Sequence, residues 1–137
     1  MIRKATLTEA KSLYELEKEV FQNDAFALSK GSIVYHLKRN LVYVIEVENS
    51  IVGYILWLKR KHYFRLYSLA ISKAFQNQGL AKELLRYSFE QLENKSFSLE
   101  VKVSNRGAVK LYEKFGFTIK KRLSNYYESE DGYLMVK

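Results

Sequence analysis

The sequence predicts a mixed α/β fold: a single domain over residues 1–137, built on a central mixed sheet with about four helices against it. Three observations predict it. Runs rich in β-branched and aromatic residues recur at 41–48, 51–58 and 63–71, close enough in sequence to be antiparallel neighbours. An amphipathic helical segment then separates 63–71 from another strand pattern at 97–103, and a helical crossover makes those two strands parallel. Finally, 137 residues, 47% of them hydrophobic and 28% charged, suffice for one globular core with a polar surface.

Each element has its own signal. Residues 2–5 read as a short first strand. Thr6 stands three residues before Glu9, a capping-box spacing, with Thr8 as a rival cap. Ala10, Leu13, Leu16 and Val20 follow at helical spacing, so a helix is expected over 8–21, broken at Asn23-Asp24. A second helix is expected over 32–39 with Ile33 and Leu37 turned inward, Gly31 blurring its start. In 41–48, Leu41, Tyr43, Ile45 and Val47 fall on one face with Glu46 and Glu48 on the other, and Asn49-Ser50 reads as a two-residue hairpin turn into 51–58. After Gly79, Ala81, Leu84, Leu85, Ser88 and Leu92 form one helical face while Lys82, Glu83, Arg86, Glu90 and Glu93 face water. The last helix, 106–115, puts Ala108, Leu111, Tyr112 and Phe115 on one face and ends at Gly116. Strands over 117–123 and 133–136 close the chain, joined by a polar turn at 128–132.

Composition removes several chemistries. With no cysteine there is no disulfide, no thiolate metal site and no cysteine acyl-enzyme. His36 and His62 are isolated, which leaves no zinc motif and no Ser-His-Asp pattern. No apolar run approaches the roughly 18 residues of a membrane span, and the start lacks a signal-peptide core, so the cytoplasm is the expected compartment. The net charge of +8 fits polyanionic partners or phosphorylated coenzymes, and equally a lysine-rich soluble surface.

The chemistry-bearing residues lie between Tyr67 and Phe117. The loop Gln76-Asn77-Gln78-Gly79-Leu80-Ala81 runs from a strand into a helix, where outward-facing backbone N–H groups suit a pyrophosphate. Its single glycine and lack of a Gly-Lys-Ser/Thr sequence exclude both a dinucleotide fingerprint and a Walker loop. Glu100 alternates with Leu99 and Val101 in a strand: it is either a solvent-facing acid or a general base for an amine. Tyr112 is either a core tyrosine or a general acid for a leaving thiolate. Asn105 is an N-cap or a hydrogen-bond partner for an amide-rich coenzyme arm.

In their order and spacing these elements resemble the GNAT N-acetyltransferase superfamily. The loop from Gln76 to Ala81 fits the family's Gln/Arg-x-x-Gly-x-Gly/Ala signature. The stretches Leu99-Glu100-Val101-Lys102-Val103-Ser104-Asn105 and Leu111-Tyr112-Glu113-Lys114-Phe115-Gly116-Phe117 look more narrowly like the ribosomal-protein alanine N-acetyltransferases, the RimI type. So do Tyr126-Tyr127 and Glu130-Asp131. The resemblance implies a GNAT fold: a twisted, mostly antiparallel mixed sheet whose parallel fourth and fifth strands splay around the coenzyme. It implies acetyl-CoA as cosubstrate, with no metal. Backbone groups of Leu69, Ala70 and Ile71 would hold the pantetheine and polarise the thioester, and Asn77, Gln78, Gly79, Leu80, Ala81 and Lys82 would cradle the pyrophosphate after Gln76. Asn105 would bind the coenzyme arm, Glu100 would accept a proton and Tyr112 would donate one. The expected acceptor is a primary amine, foremost the N-terminal α-amine of a ribosomal or other protein, taken directly in a ternary complex. A small-molecule amine is the alternative acceptor, and a non-catalytic RNA- or ribosome-binding module is the alternative of another kind. The expected protein is a monomer or weak dimer without membrane attachment, and direct nucleic-acid binding is not favoured. Where the RimI type has Pro-Trp-Ser, this chain has Asp24-Ala25-Phe26-Ala27-Leu28-Ser29, and Arg65 is available to an anionic acceptor. Acceptor choice is therefore expected to lie in residues 21–39 and in a loop at 124–131.

Overall fold

Strand β2 (Leu41–Val47) shows how the sheet is built. Its residues Leu41 to Ile45 are all buried, because it lies between β1 (Ile2–Lys4) and β3 (Ser50–Lys59), antiparallel to both, and is covered on both faces. The expected alternation is thus overridden by helices packed on each side. The computed structural model describes residues 1–22, 24 and 27–137. The expected helix break at Asn23-Asp24 and the replaced Pro-Trp-Ser element fall partly on Asn23, Ala25 and Phe26, outside the described residues.

The chain packs as two units, Met1–Lys59 with Tyr67–Glu93, and Arg60–Leu66 with Asn94–Lys137. The first holds β1, β2, β3 and the last residues of β4 (Phe64–Ile71), in that order, with helices α1 (Ala10–Val20), α2 (Lys30–Arg39) and α3 (Leu80–Gln91). Val42, Val44, Tyr54, Leu56 and Leu58 share a core with Ala10, Leu13 and Leu16 of α1 and Ile33 of α2. The register pairs Leu41 with Trp57 and Tyr43 with Ile55 on the opposite face. There Tyr43 meets Tyr87 of α3 edge-on at 5.0 Å, and Trp57 donates from Nε1 to Ser88 Oγ at 2.9 Å. Ser88 in turn donates to the Leu84 carbonyl at 2.8 Å, so a fully buried hydroxyl is satisfied twice.

The second unit orders the start of β4, then β5 (Phe97–Lys102), β7 (Glu130–Val136) and β6 (Thr118–Tyr127), with α4 (Arg106–Lys114). β4 and β5 pair in parallel at Phe64↔Phe97 and Arg65↔Ser98. β7 is antiparallel to both β5 and β6, and Phe97, Leu99, Val101, Phe117 and Met135 are buried here. Among the described residues no helix is long and apolar enough to cross a membrane.

Four expectations need correction. The first hairpin turns on Glu48 and Asn49, both at positive φ (51° and 65°), so Ser50 already pairs with Val47. This primed turn matches the twist of its strands, and Asn49 tolerates the left-handed conformation it needs. The first helix begins with a 3-10 turn, Leu7–Glu9, where the Thr6 N–H donates to Glu9 Oε1 at 2.8 Å: the capping box forms at Thr6. The expected loop at 124–131 is mostly strand, with only Glu128 and Ser129 turning between β6 and β7. Asp131 makes this possible by accepting from the Asn125 N–H and from Arg122 Nε, both at 2.8 Å, across a register shift. The helix over 32–39 also begins earlier, at Lys30, because Ser29 caps it by accepting from the Ser32 N–H at 3.1 Å.

Gly53 lets β3 and β4 approach. A Cβ there would stand 2.6 Å from Ile71 Cδ1 and 3.0 Å from the Ala70 carbonyl oxygen. Gly53→Ala should therefore destabilise by roughly 1–3 kcal/mol in urea denaturation, because the backbone oxygen cannot turn away. Arg3 holds Glu9 through a pair of hydrogen bonds at 2.6 and 2.9 Å, and this keeps the Glu9 carboxyl down at about 2, against an ordinary 4.5. A depressed carboxyl stabilises above its unfolded value, and that contribution is lost as pH falls towards the folded one. The melting-temperature gap between the wild type and Glu9→Gln should shrink as pH drops from about 5 to about 2.

Candidate active site

The loop after β4 is fixed from two sides. Gln76 Nε2 donates to the Ile71 carbonyl at 2.9 Å, folding the first signature residue back onto the strand end. Glu19 of α1 accepts from the Lys73 N–H at 2.7 Å and from Ser72 Oγ at 3.0 Å. Asn77 and Gly79 then take positive φ, 64° and 81°, and turn the chain into α3. No side chain caps α3, and its first backbone bond from within is Glu83 N–H to the Gly79 carbonyl at 3.1 Å. The N–H groups of Leu80, Ala81 and Lys82 thus have no acceptor in their own helix. A Cβ at Gly79 would meet nothing within 4 Å, so the approach to them is open. Ala70 and Ile71 bury their side chains and Leu69 is half-buried. What Ala70 and Ile71 can offer a ligand is backbone.

In the second unit Glu100 is not isolated. Arg65 Nη2 lies 2.5 Å from Glu100 Oε1 and Arg65 Nε 3.2 Å from Oε2. Tyr126 donates its hydroxyl to Oε1 at 3.1 Å. Burial, and then the Glu100 charge, push the Tyr126 phenol up, so it keeps the proton it donates. Arg65 was expected to await an anionic acceptor, and instead its guanidinium is engaged by Glu100.

Tyr112 is half-buried on α4, its ring 5.8 Å from that of Phe117. Burial pushes its phenol to about 12, with Tyr127 adding to the shift, so it is a neutral hydroxyl throughout the physiological range. Tyr127 is pushed to about 12 by burial, Tyr126 and Glu100, which places Glu100, Tyr126, Tyr127 and Tyr112 in one electrostatic neighbourhood. Asn105 caps α4, Oδ1 accepting from the Ala108 N–H at 3.2 Å, which leaves its amide N–H₂ outside the cap. Glu130 fixes the corner before it by accepting from Ser104 Oγ at 2.8 Å and Ser104 N–H at 3.0 Å. These bonds hold the Glu130 carboxyl below its usual range.

Sequence reasoning missed Glu17 and Glu19. Glu17 is 2% exposed and lies on the buried side of α1, one turn after Leu13. That spacing, an acid on an apolar stripe, was its only signal. Elsewhere in the first unit a recess of about 490 Å³ is lined by Glu9, Glu15, Glu19 and Glu46 against Arg3, a net acidic wall and a poor host for a phosphorylated coenzyme. Among the described residues no group of His, Asp and Glu side chains is placed to hold a metal ion.

The acetyltransferase (GNAT) family profile matches residues 8–117. This chain belongs to the GNAT acetyltransferase family. An uncharacterized N-acetyltransferase of Methanocaldococcus jannaschii is 32% identical over 142 residues, covering 100% of this chain and 90% of the relative. An N-alpha-acetyltransferase of Saccharolobus solfataricus is 36% identical over 125 residues, covering 76% and 74%. The crystal structure of the ribosomal-protein-S18-alanine N-acetyltransferase of Escherichia coli superposes with a TM-score of 0.90 at 25% identity, covering 99% of this chain and 91% of that one. The chain is thus a GNAT N-acetyltransferase, an enzyme of a family whose acyl donor is acetyl-CoA. The uncapped start of α3 behind an open glycine fits the anionic part of that donor.

Proposed function

We propose that this acetyltransferase moves an acetyl group directly onto the N-terminal α-amine of a protein or peptide, a ribosomal protein among the candidates, in the cytoplasm. One observation carries the acceptor class: the similarity over nearly the whole chain to a structure named as a ribosomal-protein-S18-alanine N-acetyltransferase, together with relatives named N-alpha-acetyltransferase. The family match runs through residues of both packing units, which supports reading 1–137 as one catalytic domain.

The donor supplies a thioester with a thiol leaving group. Leu69, Ala70 and Ile71 are proposed to hold its arm by their backbone, Asn77, Gln78, Gly79, Leu80, Ala81 and Lys82 to receive its pyrophosphate, and Asn105 to meet it with the amide N–H₂ outside the α4 cap. Gln76 serves by holding the loop to Ile71. Glu100 takes the proton of the incoming amine, directly or through water, from a position fixed by Arg65 and Tyr126. Tyr112 is proposed to donate to the leaving sulfur. Burial pushes its phenol up, so it reaches the reaction as a neutral hydroxyl and a weak acid. Its contribution is therefore mainly a hydrogen bond donated to sulfur as charge builds there, with the proton passing over late.

The test is a panel of peptides with free N-termini, incubated with acetyl-CoA and read by mass spectrometry. Acetylation at the α-amine is expected, with internal lysines spared; turnover only on small-molecule amines would overturn the peptide reading. Tyr112→Phe should lower kcat by about 10- to 100-fold with the acetyl-CoA KM changed less than about threefold. Unchanged turnover would remove Tyr112 from the chemistry.

A further inference from the structure

Within the first unit, Glu17 ties together four segments. One carboxylate oxygen accepts from the Leu28 N–H at 2.8 Å, in the stretch that leads into α2. The other accepts from the Tyr54 hydroxyl on β3. Tyr54 Oη lies 3.0 Å from Ser68 Oγ on β4, directly before Leu69. Glu17 and Tyr54 are each 2% exposed, so the network is shielded from competing water. It joins α1, the segment before α2, β3 and the donor-side strand through one carboxyl group.

We propose that Glu17 is a positioning residue for the acetyl acceptor. It holds the chain at Leu28 in a fixed arrangement with Ser68, so that the acceptor meets a preformed surface beside the donor strand. This rests on the reading that the residues before α2 help receive the acceptor. A residue that only supported the fold would affect acceptor and donor alike. A positioning residue changes acceptor binding while donor binding holds, because the α3 start and its loop depend on Gln76 and Glu19 instead.

Two variants test this. Glu17→Gln keeps the size but offers at most one acceptor oxygen to the Leu28 N–H and Tyr54. Its acceptor KM should rise about tenfold, the size expected when a hydrogen bond to a charged group is lost, with the acetyl-CoA KM within twofold. Amide hydrogen exchange at Leu28, followed by NMR, should accelerate. Tyr54→Phe leaves the Leu28 bond in place and removes both bonds of the hydroxyl, to Glu17 and to Ser68. It should raise the acceptor KM severalfold with Leu28 still protected, and it carries the test if Glu17→Gln fails to fold. An acceptor KM unchanged in Tyr54→Phe, or acceptor and coenzyme KM values rising together, would overturn the inference. A wild type that acetylates no peptide would instead sink the peptide reading, and this inference with it.

Discussion

Parallel neighbours cannot be joined by a tight turn, and this constraint on β4 and β5 sets how the chain enters α3. The chain must leave β4 at Ile71, travel as a helix and come back. A helix entered this way presents its first N–H groups at the strand end it follows. Residues 72–79 make that entry, with Gly79 at φ 81°, a conformation most residues would pay to adopt. A capping side chain would have satisfied the amides of Leu80 to Lys82 locally and spent them. Gln76, a polar side chain of the same loop, is turned to the Ile71 carbonyl.

Helix α1 does more than cover the sheet. Leu13 and Leu16 supply packing, while Glu17 and Glu19 reach from the same helix to Leu28 and Tyr54, and to Ser72 and Lys73. One element thus braces the segment before α2 and the segment before α3. The bracing has an electrostatic consequence. Burial pushes the Glu17 carboxyl up, partly offset by the Leu28 N–H and Ser68. A carboxyl raised above its unfolded value loses its stabilising contribution as pH rises, whereas Glu9, held low by Arg3, loses its own as pH falls. The first unit therefore carries two opposed slopes of stability with pH.

Local patterns carried the fold well where local physics decides it. The capping residue Thr6, the apolar face of α3 at Leu84, Leu85 and Ser88, and the stop at Gly116 with φ 96° were all legible. What the sequence did not reveal depends on contacts far along the chain. Burial of both faces of Leu41 to Ile45 needs α1, α2 and α3 together. The strand character of residues 124–127 needs Asp131 to reach back to Asn125. The α4 face was legible, yet none of its residues is fully buried. At the site, the positions of Glu100 and Tyr112 could be read, while the pairing of Glu100 with Arg65 joins residues far apart in sequence and left no periodic trace.

That pairing bears on which amine the enzyme can use. Both oxygens of Glu100 are occupied by donors, so an amine or a water must share them with Arg65 and Tyr126. In its proposed role as proton acceptor, a Glu100 held this way orients more than it forces. An α-amine with pKa near 8 is already about 10% free base at neutral pH. A lysine side chain near 10.4 starts about 2.5 units worse, a further cost of about 3.4 kcal/mol before any bond forms. A carboxylate with committed lone pairs offers little to offset that difference. Under the role proposed for Glu100, an acceptor that deprotonates easily is therefore the better match.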